Sequence, residues 1–205
     1  NDGDLFKNYN LKKEIDVLFF GRINSDRKII LDFIANNGIS VKIVGQDNNF
    51  VTDEELSQLI SKSRIVLNLS KSTGRTVTNY ASEDIYKFGY VLKGRIIISG
   101  LCGTLCVSEF SPAQEIMFNK DEIPTFYTKE ECVEILKNFL KDKELLSKYT
   151  NKFSSKIFNL YEDEGNFESI YNAIEKSNNR KVKLNKIPYW YLRIVAKQVI
   201  IRNIK

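Results

Sequence analysis

Apolar runs that end in glycine or in a pair of polar residues recur along the first third of the chain. They are "IDVLFFG" at 15–21, "GISVKIVG" at 38–45 and "RIVLNLS" at 64–70. A strand that is covered on both faces of a sheet has this near-continuous apolar character. Segments with helical periodicity separate the runs, and such alternation predicts right-handed β-α-β units and a parallel sheet.

The rest of the chain continues this alternation. "TLCVSEF" at 104–110 predicts a fourth strand and "IPTFYT" at 123–128 predicts a short fifth one. Capping-box spacing at Thr52 and again at Thr128 predicts the start of two later helices. The pattern therefore predicts one doubly wound α/β domain followed by helices.

The predicted domain occupies residues 15–178 of the 205-residue chain. Residues 1–14 are polar and are interpreted as a linker, and residues 179–205 form a separate C-terminal segment. In open sheets of this class, ligands bind outside the carboxyl ends of the strands. The candidate functional residues are therefore sought just after each apolar run.

The composition excludes several kinds of catalytic site. The chain has no histidine, which rules out a Ser-His-Asp triad or a histidine base within it. Its three cysteines, Cys102, Cys106 and Cys132, have no C-x-x-C spacing and lie mostly in apolar surroundings. They are interpreted as reduced core residues of a cytosolic protein, and no metal site is expected.

The positive charge is concentrated at the C-terminus. Residues 180–205 contain eight Lys/Arg and no Asp/Glu, whereas the remaining residues carry 23 basic and 26 acidic side chains. This distribution is not that of a nucleic-acid-binding domain, so no nucleic-acid partner is expected. Residues 187–205 predict a basic amphipathic helix, which either contacts an anionic membrane surface or packs against another domain.

Cations cluster after the first predicted strand. Gly21 and Arg22 end that strand, and Arg27 lies in the first turn of the next helix, which Ser25 or Asp26 is placed to cap. A helix N-terminus attracts anions, so cations there are unfavourable unless an anion lies between. The pattern favours a phosphate site over a solvated surface.

The segment "KGRIIISGLCG" at 93–103 raises the same question. If it is helical, Lys93 and Arg95 lie in the first turn and face the cleft, where a guanidinium can bind a diphosphate through two hydrogen bonds. If it is a strand, as its β-branched residues allow, the arginine is an exposed end residue. Periodicity leaves both possibilities open.

Four further polar residues are candidates for nucleotide or sugar contacts. Asn68 and Ser70 end the third strand, where they either bind a base or sugar or simply close the strand. Glu109 follows the fourth strand and is expected in the cleft. Glu115 either contacts the ligand or complements the dipole of a helix that starts after Pro112.

The succession "DVLFFGRINSDRK", "GISVKIVG", "IVLNLS", "LKGRIIISGLCG" and "FYTKEECVEIL" resembles the C-terminal, donor-binding domain of GT-B glycosyltransferases, and most of all the CgeB-like, group 1 type. The resemblance covers about residues 15–160. It implies a Rossmann-like fold that binds a nucleotide sugar without metal or other cofactor, with phosphate contacts at Gly21, Arg22, Arg27, Lys93 and Arg95.

The chain departs from the family pattern at two glutamates. The residue that holds the ribose hydroxyls in the family is Ile98 here, and the glutamate eight residues earlier in the wider superfamily is Tyr90. An isoleucine cannot accept hydrogen bonds from hydroxyl groups, and an unpaired buried hydroxyl costs about 1–3 kcal/mol. Either the nucleotide sits differently, or Glu109 or Glu115 substitutes, or donor binding is lost.

The resemblance implies transfer of a sugar to a glycan, lipid-linked or surface-polysaccharide acceptor in a bacterial cytoplasm, at or near the inner face of the membrane. The sequence contains no evident general base, and a preceding domain is expected to supply it. A degenerate, non-catalytic binding or scaffold domain of the same fold is the alternative. An unrelated flavodoxin-like or receiver-like domain is a third, which the cationic strand ends disfavour.

Overall fold

The computed structural model describes residues 5–45, 51–71 and 89–162. Its five strands are β1 (Ile15–Phe20), β2 (Val41–Val44), β3 (Ser63–Asn68), β4 (Leu105–Glu109) and β5 (Thr125–Phe126). They form one parallel sheet in the order β2-β1-β3-β4-β5. Val17 pairs with Ile65 and Val66 with Cys106 in the central register. The predicted parallel α/β fold is confirmed.

Six helices flank this sheet in the described part of the chain. They are α1 (Ser25–Asn36), α2 (Asp53–Ser61), α3 (Gly94–Leu101), α4 (Pro112–Met117), α5 (Lys129–Lys141) and α6 (Lys143–Glu162). Helix α1 packs against α5, and α3 packs against α6 and β4. The segment that could be a helix or a strand is therefore helix α3.

The helix starts follow local hydrogen bonding. Both predicted capping boxes are present, with the Thr52 and Thr128 hydroxyls accepting from the backbone N–H groups three residues later. Helix α1 begins one or two residues earlier than expected, because Asn24 rather than Ser25 or Asp26 is the cap and accepts from the Arg27 N–H. A short amide side chain in extended backbone satisfies that donor as well as a serine or aspartate would.

The core lies on both faces of the sheet. The side chains of Val17, Leu18 and Phe19 on β1 and of Ile65 and Leu67 on β3 are fully buried. Helices α3, α5 and α6 add fully buried Ile96, Leu136 and Phe153. This burial on both faces explains why β1 and β3 read as continuous apolar runs. All three cysteines are buried and free.

The segment interpreted as a linker packs along the domain. Phe6 is buried in the core, and the Lys7 and Tyr9 N–H groups donate to Ser57 Oγ and Ser61 Oγ on α2 at 3.2 and 3.3 Å. The segment has few apolar residues, so its composition predicted a linker that does not pack on the domain. It packs mainly through hydrogen bonds between its backbone and two buried serines. Residues 5–14 are thus part of the domain.

The chain divides into two compact units, Asn1–Glu162 and Asp163–Lys205. The second unit, which includes the predicted basic helix at 187–205, lies outside the described residues. None of the helices within the described ranges combines the length and the hydropathy that a bilayer crossing requires.

Candidate functional site

The carboxyl ends of β1 and β3 lie side by side at the middle of the sheet. Strand order changes direction between these two strands, which is where ligands bind in doubly wound folds. The structure brings Arg27, Lys93, Arg95 and Glu109 to this point. We call these four side chains the rim cluster.

Arg95 projects from the first turn of α3 across the end of β1. Its Nε donates to Phe20 O at 2.5 Å, and one terminal nitrogen donates to Asn68 Oδ1 at 3.4 Å. Its guanidinium carbon lies 4.8 Å from the centre of the Phe19 ring. A backbone carbonyl, an amide oxygen and an aromatic ring thus hold the guanidinium in place. None of these three partners is a carboxylate, so they leave its positive charge unpaired.

Gly21 provides the space in which Arg95 lies. A Cβ at Gly21 would be 2.4 Å from an Arg95 terminal nitrogen, and the backbone φ there is +111°. The Gly21 N–H donates to Val44 O at 2.9 Å, so it is already used by the neighbouring strand end. Gly21 was predicted as a phosphate contact, and here its evident contribution is to seat the arginine.

Arg27 is the most deeply buried cation of the rim cluster, with 7% of its surface exposed. Its terminal nitrogens donate to Arg22 O at 2.6 Å and lie near Leu69 O and Lys71 O at 3.4 and 3.5 Å. Its Nε is buried without a hydrogen-bond partner among the described residues. Arg27 therefore ties the loop after β1 to the loop after β3 and keeps a donor unused.

The cations of the rim cluster destabilise one another's charge. Burial lowers the pKa of Arg95 to about 10, with Arg27 adding to the shift. Burial also lowers the pKa of Lys93, and the charges of Arg27 and Arg95 lower it further, whereas Glu109 raises it. Burial lowers the pKa of Arg27, and Glu109 again opposes it. The site thus has an excess of positive charge that an anion would relieve.

Glu109 is held at the end of β4. Its Oε2 accepts from the Lys71 N–H at 2.9 Å and lies 3.5 Å from Ser70 Oγ, whose hydroxyl donates to Phe110 O at 2.6 Å. Glu109 and Arg27 line a hollow of about 20 Å³, together with Asn24, Ile30, Leu69 and Lys71 among others. The hollow has room for about one water molecule.

A buried polar chain connects Arg95 to the edge of the sheet. Asn68 Nδ2 donates to Ser108 Oγ at 2.8 Å, Ser108 Oγ lies 2.6 Å from Gln114 Oε1, and Gln114 Nε2 donates to Thr125 Oγ1 at 2.6 Å. Asn68, Ser108 and Gln114 are each at most 1% exposed. The chain orients the Asn68 amide so that its oxygen faces Arg95.

Ser108 and Gln114 were not predicted as site residues. The signal that could have found Ser108 is a serine inside an otherwise apolar strand, "TLCVSEF", since a buried hydroxyl requires a partner. Gln114 sits in an ordinary polar helix start, and no local pattern distinguishes it from an exposed glutamine.

Two predicted site residues lie apart from the rim cluster. The Arg22 side chain is exposed, and it is its backbone carbonyl that contacts Arg27. Glu115 accepts a hydrogen bond from Tyr127 Oη at 3.2 Å and lines a different cavity. Ile98, at the family's glutamate position, is half-buried against the core.

A family model described as glycosyl transferase-like matches residues 26–162, which is more than half of the chain. The chain belongs to the glycosyl transferase-like family. A search of curated proteins gives no significant match. The matched residues contain α1 except Ser25, the whole of β2 to β5 and the four side chains of the rim cluster.

Solved structures support the same fold. This glycosyl transferase-like chain is similar to the C-terminal domain of a glycosyl transferase group 1 family protein, LpcC, from Francisella tularensis, with 11% identity, a TM-score of 0.59, and coverage of 79% of this chain and 98% of that domain. Sucrose-phosphate synthase from Thermosynechococcus elongatus gives 12% identity and a TM-score of 0.57 over 85% of this chain and 51% of the synthase.

TarM from S. aureus, solved as a mutant with fondaparinux, α-GlcNAc-glycerol and UDP, gives 11% identity and a TM-score of 0.56 over 82% of this chain and 37% of TarM. The chain thus spans about half or less of these two larger enzymes and nearly all of the isolated Francisella domain. At these identities the likeness concerns the fold, and the Rossmann-like fold of GT-B C-terminal domains is confirmed.

Proposed function

We propose that this chain is the donor-binding half of a GT-B glycosyltransferase, of the CgeB-like type, and that it binds the diphosphate of a nucleotide sugar at the rim cluster. One observation carries the proposal. Arg27, Lys93 and Arg95 converge at the carboxyl ends of β1 and β3, where burial lowers the pKa of all three and neighbouring cations lower the pKa of Lys93 and Arg95 further. A diphosphate at this point would relieve both effects.

The chemistry of sugar transfer needs such a site. When the glycosidic bond to the donor phosphate breaks, negative charge develops on the departing diphosphate. Cations held in place before the reaction stabilise that charge without reorganising. Arg95 is anchored through Nε to Phe20 O, and Arg27 through its terminal nitrogens to two loops, so both meet this requirement. We propose that they neutralise the leaving group without a metal ion.

The nucleoside and sugar are proposed to lie next to Glu109. Ile98 offers no hydrogen bond to a ribose, whereas the Glu109 carboxylate is fixed at the end of β4 with Ser70 beside it. Asn68 Oδ1 accepts from Arg95, so Asn68 would act on a ligand at the rim cluster by orienting that guanidinium. In this proposal Glu109 takes the role of the family's missing glutamate.

We also propose that the acceptor is a glycan or lipid-linked saccharide of a bacterial surface polysaccharide, at the cytoplasmic face of the membrane. The eight basic residues of 180–205 support attraction to anionic lipid. Co-sedimentation with vesicles that contain phosphatidylglycerol should fall when 187–205 are deleted, and equal pelleting of both chains would contradict membrane contact.

Ile98 also favours a second candidate. A domain that lost its ribose-binding glutamate could keep the fold and serve as a non-catalytic binding or scaffold module. This alternative makes a different prediction, since it requires no affinity for nucleotides at the rim cluster.

Calorimetric titration with pyrophosphate, UDP, GDP and CMP, and with their sugars, separates the two candidates. A nucleoside diphosphate should bind with EDTA present, and Arg95→Gln should weaken binding about ten- to a hundredfold because one charge-assisted pair is lost. Lys93→Gln removes a cation whose side chain makes no capping hydrogen bond to α3. The resulting loss of affinity therefore measures the contribution of the Lys93 charge to binding, with α3 kept intact.

Arg64→Gln is the matched control. Arg64 lies at the opposite, amino end of β3, where it pairs with Asp16 at 3.1 Å on the surface. It should leave nucleotide affinity unchanged. Absence of binding to every nucleotide and to pyrophosphate would contradict the donor-binding proposal and support the scaffold alternative.

A further inference from the structure

A row of three aromatic side chains leads away from the rim cluster along the carboxyl edge of the sheet. Tyr90 forms a backbone bridge with Lys71, the residue whose N–H is bound by Glu109. The Tyr90 ring meets Phe110 edge-on at 5.6 Å between ring centres, and Phe110 stacks on Tyr127 at 4.9 Å and 24°. The row ends at Tyr127, whose surface is 62% exposed.

The Tyr127 ring is held in one orientation although it is exposed. The Tyr127 Oη donates to Glu115 Oε1 at 3.2 Å and one face of the ring rests on Phe110, while the backbone N–H of Tyr127 donates to Glu131 Oε2 at 2.7 Å. An exposed aromatic ring contributes little to the core, and a mobile one would bind poorly because of the entropy lost on ordering. A ring that is both exposed and fixed is suited to stacking with a ligand.

A cavity of about 440 Å³ opens beside this ring. Glu115, Asn119, Lys120, Thr125 and Tyr127 contribute polar groups to its wall, and the nearly buried Phe118 contributes apolar surface. The size is within the range of small-ligand pockets. The two charged residues, Glu115 and Lys120, are opposite in sign, in contrast to the cationic rim cluster.

These features specify the ligand's chemistry. A carboxylate, amides, a hydroxyl and an ammonium group offer donors and acceptors together, which matches a molecule with several hydroxyl groups and no net charge. The exposed aromatic face requires an apolar face on the same molecule. A pyranose ring has both, because its axial C–H bonds form an apolar face and its hydroxyls project from the edge. A phosphate would face the Glu115 carboxylate.

We propose that Tyr127 and this cavity form a carbohydrate subsite, distinct from the rim cluster, that holds one neutral hexose or N-acetylhexosamine ring. Its assignment to the acceptor glycan rests on the proposed function, since the aromatic row then links the acceptor to the donor phosphate. The binding of a sugar ring there does not depend on that function.

Saturation-transfer NMR and titration of the 205-residue chain with methyl glycosides of glucose, galactose and N-acetylglucosamine test the subsite. Tyr127→Ala should weaken binding about tenfold or more, as expected for loss of a stacked ring. Phe158→Ala, which removes a 39% exposed aromatic ring from α6, should have no effect, and Arg95→Gln should have none either. Thermal unfolding of each variant verifies that the fold is kept.

The proposal would be overturned by three results. One is that no glycoside binds; another is that glycosides bind but depend on Arg95 and not on Tyr127. The third is that Tyr127→Ala abolishes the binding of uridine but not that of any glycoside. In that case the Tyr127 ring would stack on a nucleobase and not on a sugar.

Titrating the same samples with pyrophosphate and UDP keeps the two proposals distinguishable. Sugar binding that depends on Tyr127, in a chain that binds neither pyrophosphate nor UDP, would support the subsite while the donor-binding function fails. Nucleotide binding that depends on Arg95, without any glycoside binding, would support that function and overturn the subsite.

Discussion

The Arg95 guanidinium fills the space at the end of β1 that a side chain at Gly21 would occupy. A side chain at Gly21 would begin 2.4 Å from a terminal nitrogen of Arg95, while the Arg95 Nε donates to the carbonyl of the preceding residue, Phe20. The two residues are 74 positions apart in the chain. The position of Arg95 excludes a side chain at residue 21, and the absence of that side chain allows Arg95 to lie there. The rim cluster therefore depends on a residue without a side chain as much as on its cations.

Gly21→Ala should displace Arg95 and weaken nucleotide or pyrophosphate binding. The left-handed φ of +111° adds a backbone cost of about 1–3 kcal/mol. Gly38→Ala is the control, because Gly38 also has a positive φ, +81°, but a Cβ there meets no atom within 4 Å. Urea unfolding and ligand titration of both variants separate backbone strain from displacement of the arginine. Equal effects on ligand binding would contradict the proposed contact.

Ser108→Ala should destabilise the domain by breaking the polar chain between Arg95 and β5. Asn68 Nδ2 and Gln114 Oε1 would each lose a buried partner, at about 1–3 kcal/mol for each group. Ser99→Ala is the control, since Ser99 is equally buried but donates to Ile96 O within its own helix, so its loss should cost about 0.5–1.5 kcal/mol. Denaturant unfolding gives both values, and similar losses would show that the chain is not a coupled unit.

Gly100→Ala should destabilise the packing of α3 on α6. A Cβ at Gly100 would lie 2.4 Å from Ile157 Cγ1 and 2.8 Å from its Cβ, so overpacking of about 1–3 kcal/mol opposes the gain of about 1 kcal/mol in helix propensity. Combined with Ile157→Ala, which opens space at the same point, the alanine should cost less than it does alone. A double-mutant cycle from urea unfolding measures this coupling, and strict additivity would contradict the contact.

The sequence predicted the sheet better than the site. Near-continuous apolar runs located β1, β3 and β4, because strands covered on both faces leave little ambiguity. The "RIII" segment could not be assigned, since β-branched residues favour a strand locally, while its helical state follows from packing against α6 and β4. Tertiary contacts decided what periodicity could not.

The site residues also divide into those whose position the sequence predicted and those whose position depends on tertiary structure. Arg27 and Arg95 were expected to lie together, and the parallel sheet brings them together because strand ends share one edge. Arg22 is next to Gly21 in the chain, yet its side chain is exposed whereas Arg27 is buried. Only the turn geometry between β1 and α1 decides which of the two points inward. The roles of Ser108 and Gln114 depend on a partner 40 positions away and on a neighbouring strand, which no local pattern contains.

Lys13 should make the stability of the domain depend on pH. Its Nζ donates to Thr104 Oγ1 at 2.9 Å, and burial lowers its pKa to about 8, although interaction with Cys102 partly opposes that shift. In the unfolded chain the ordinary pKa is 10.5, so between about pH 8 and 10.5 the unfolded state binds more protons than the native state. The free energy of unfolding should therefore rise with pH in that interval.

The Lys13→Met variant isolates this contribution. It should remove the rise, which we expect to be about 1–3 kcal/mol across the interval, reduced because Lys13 is only half-buried. At pH 7.5 the variant should be as stable as the natural chain or more so, because the buried charge is gone and Thr104 Oγ1 keeps its own bond to Ile60 O at 2.8 Å. Lys28→Met, which removes an exposed lysine paired with Asp32, controls for the loss of a surface charge. Urea unfolding at pH 7.5, 8.5 and 9.5 measures the three slopes, and a slope in Lys13→Met equal to that of the natural chain would show that Lys13 does not titrate in this range.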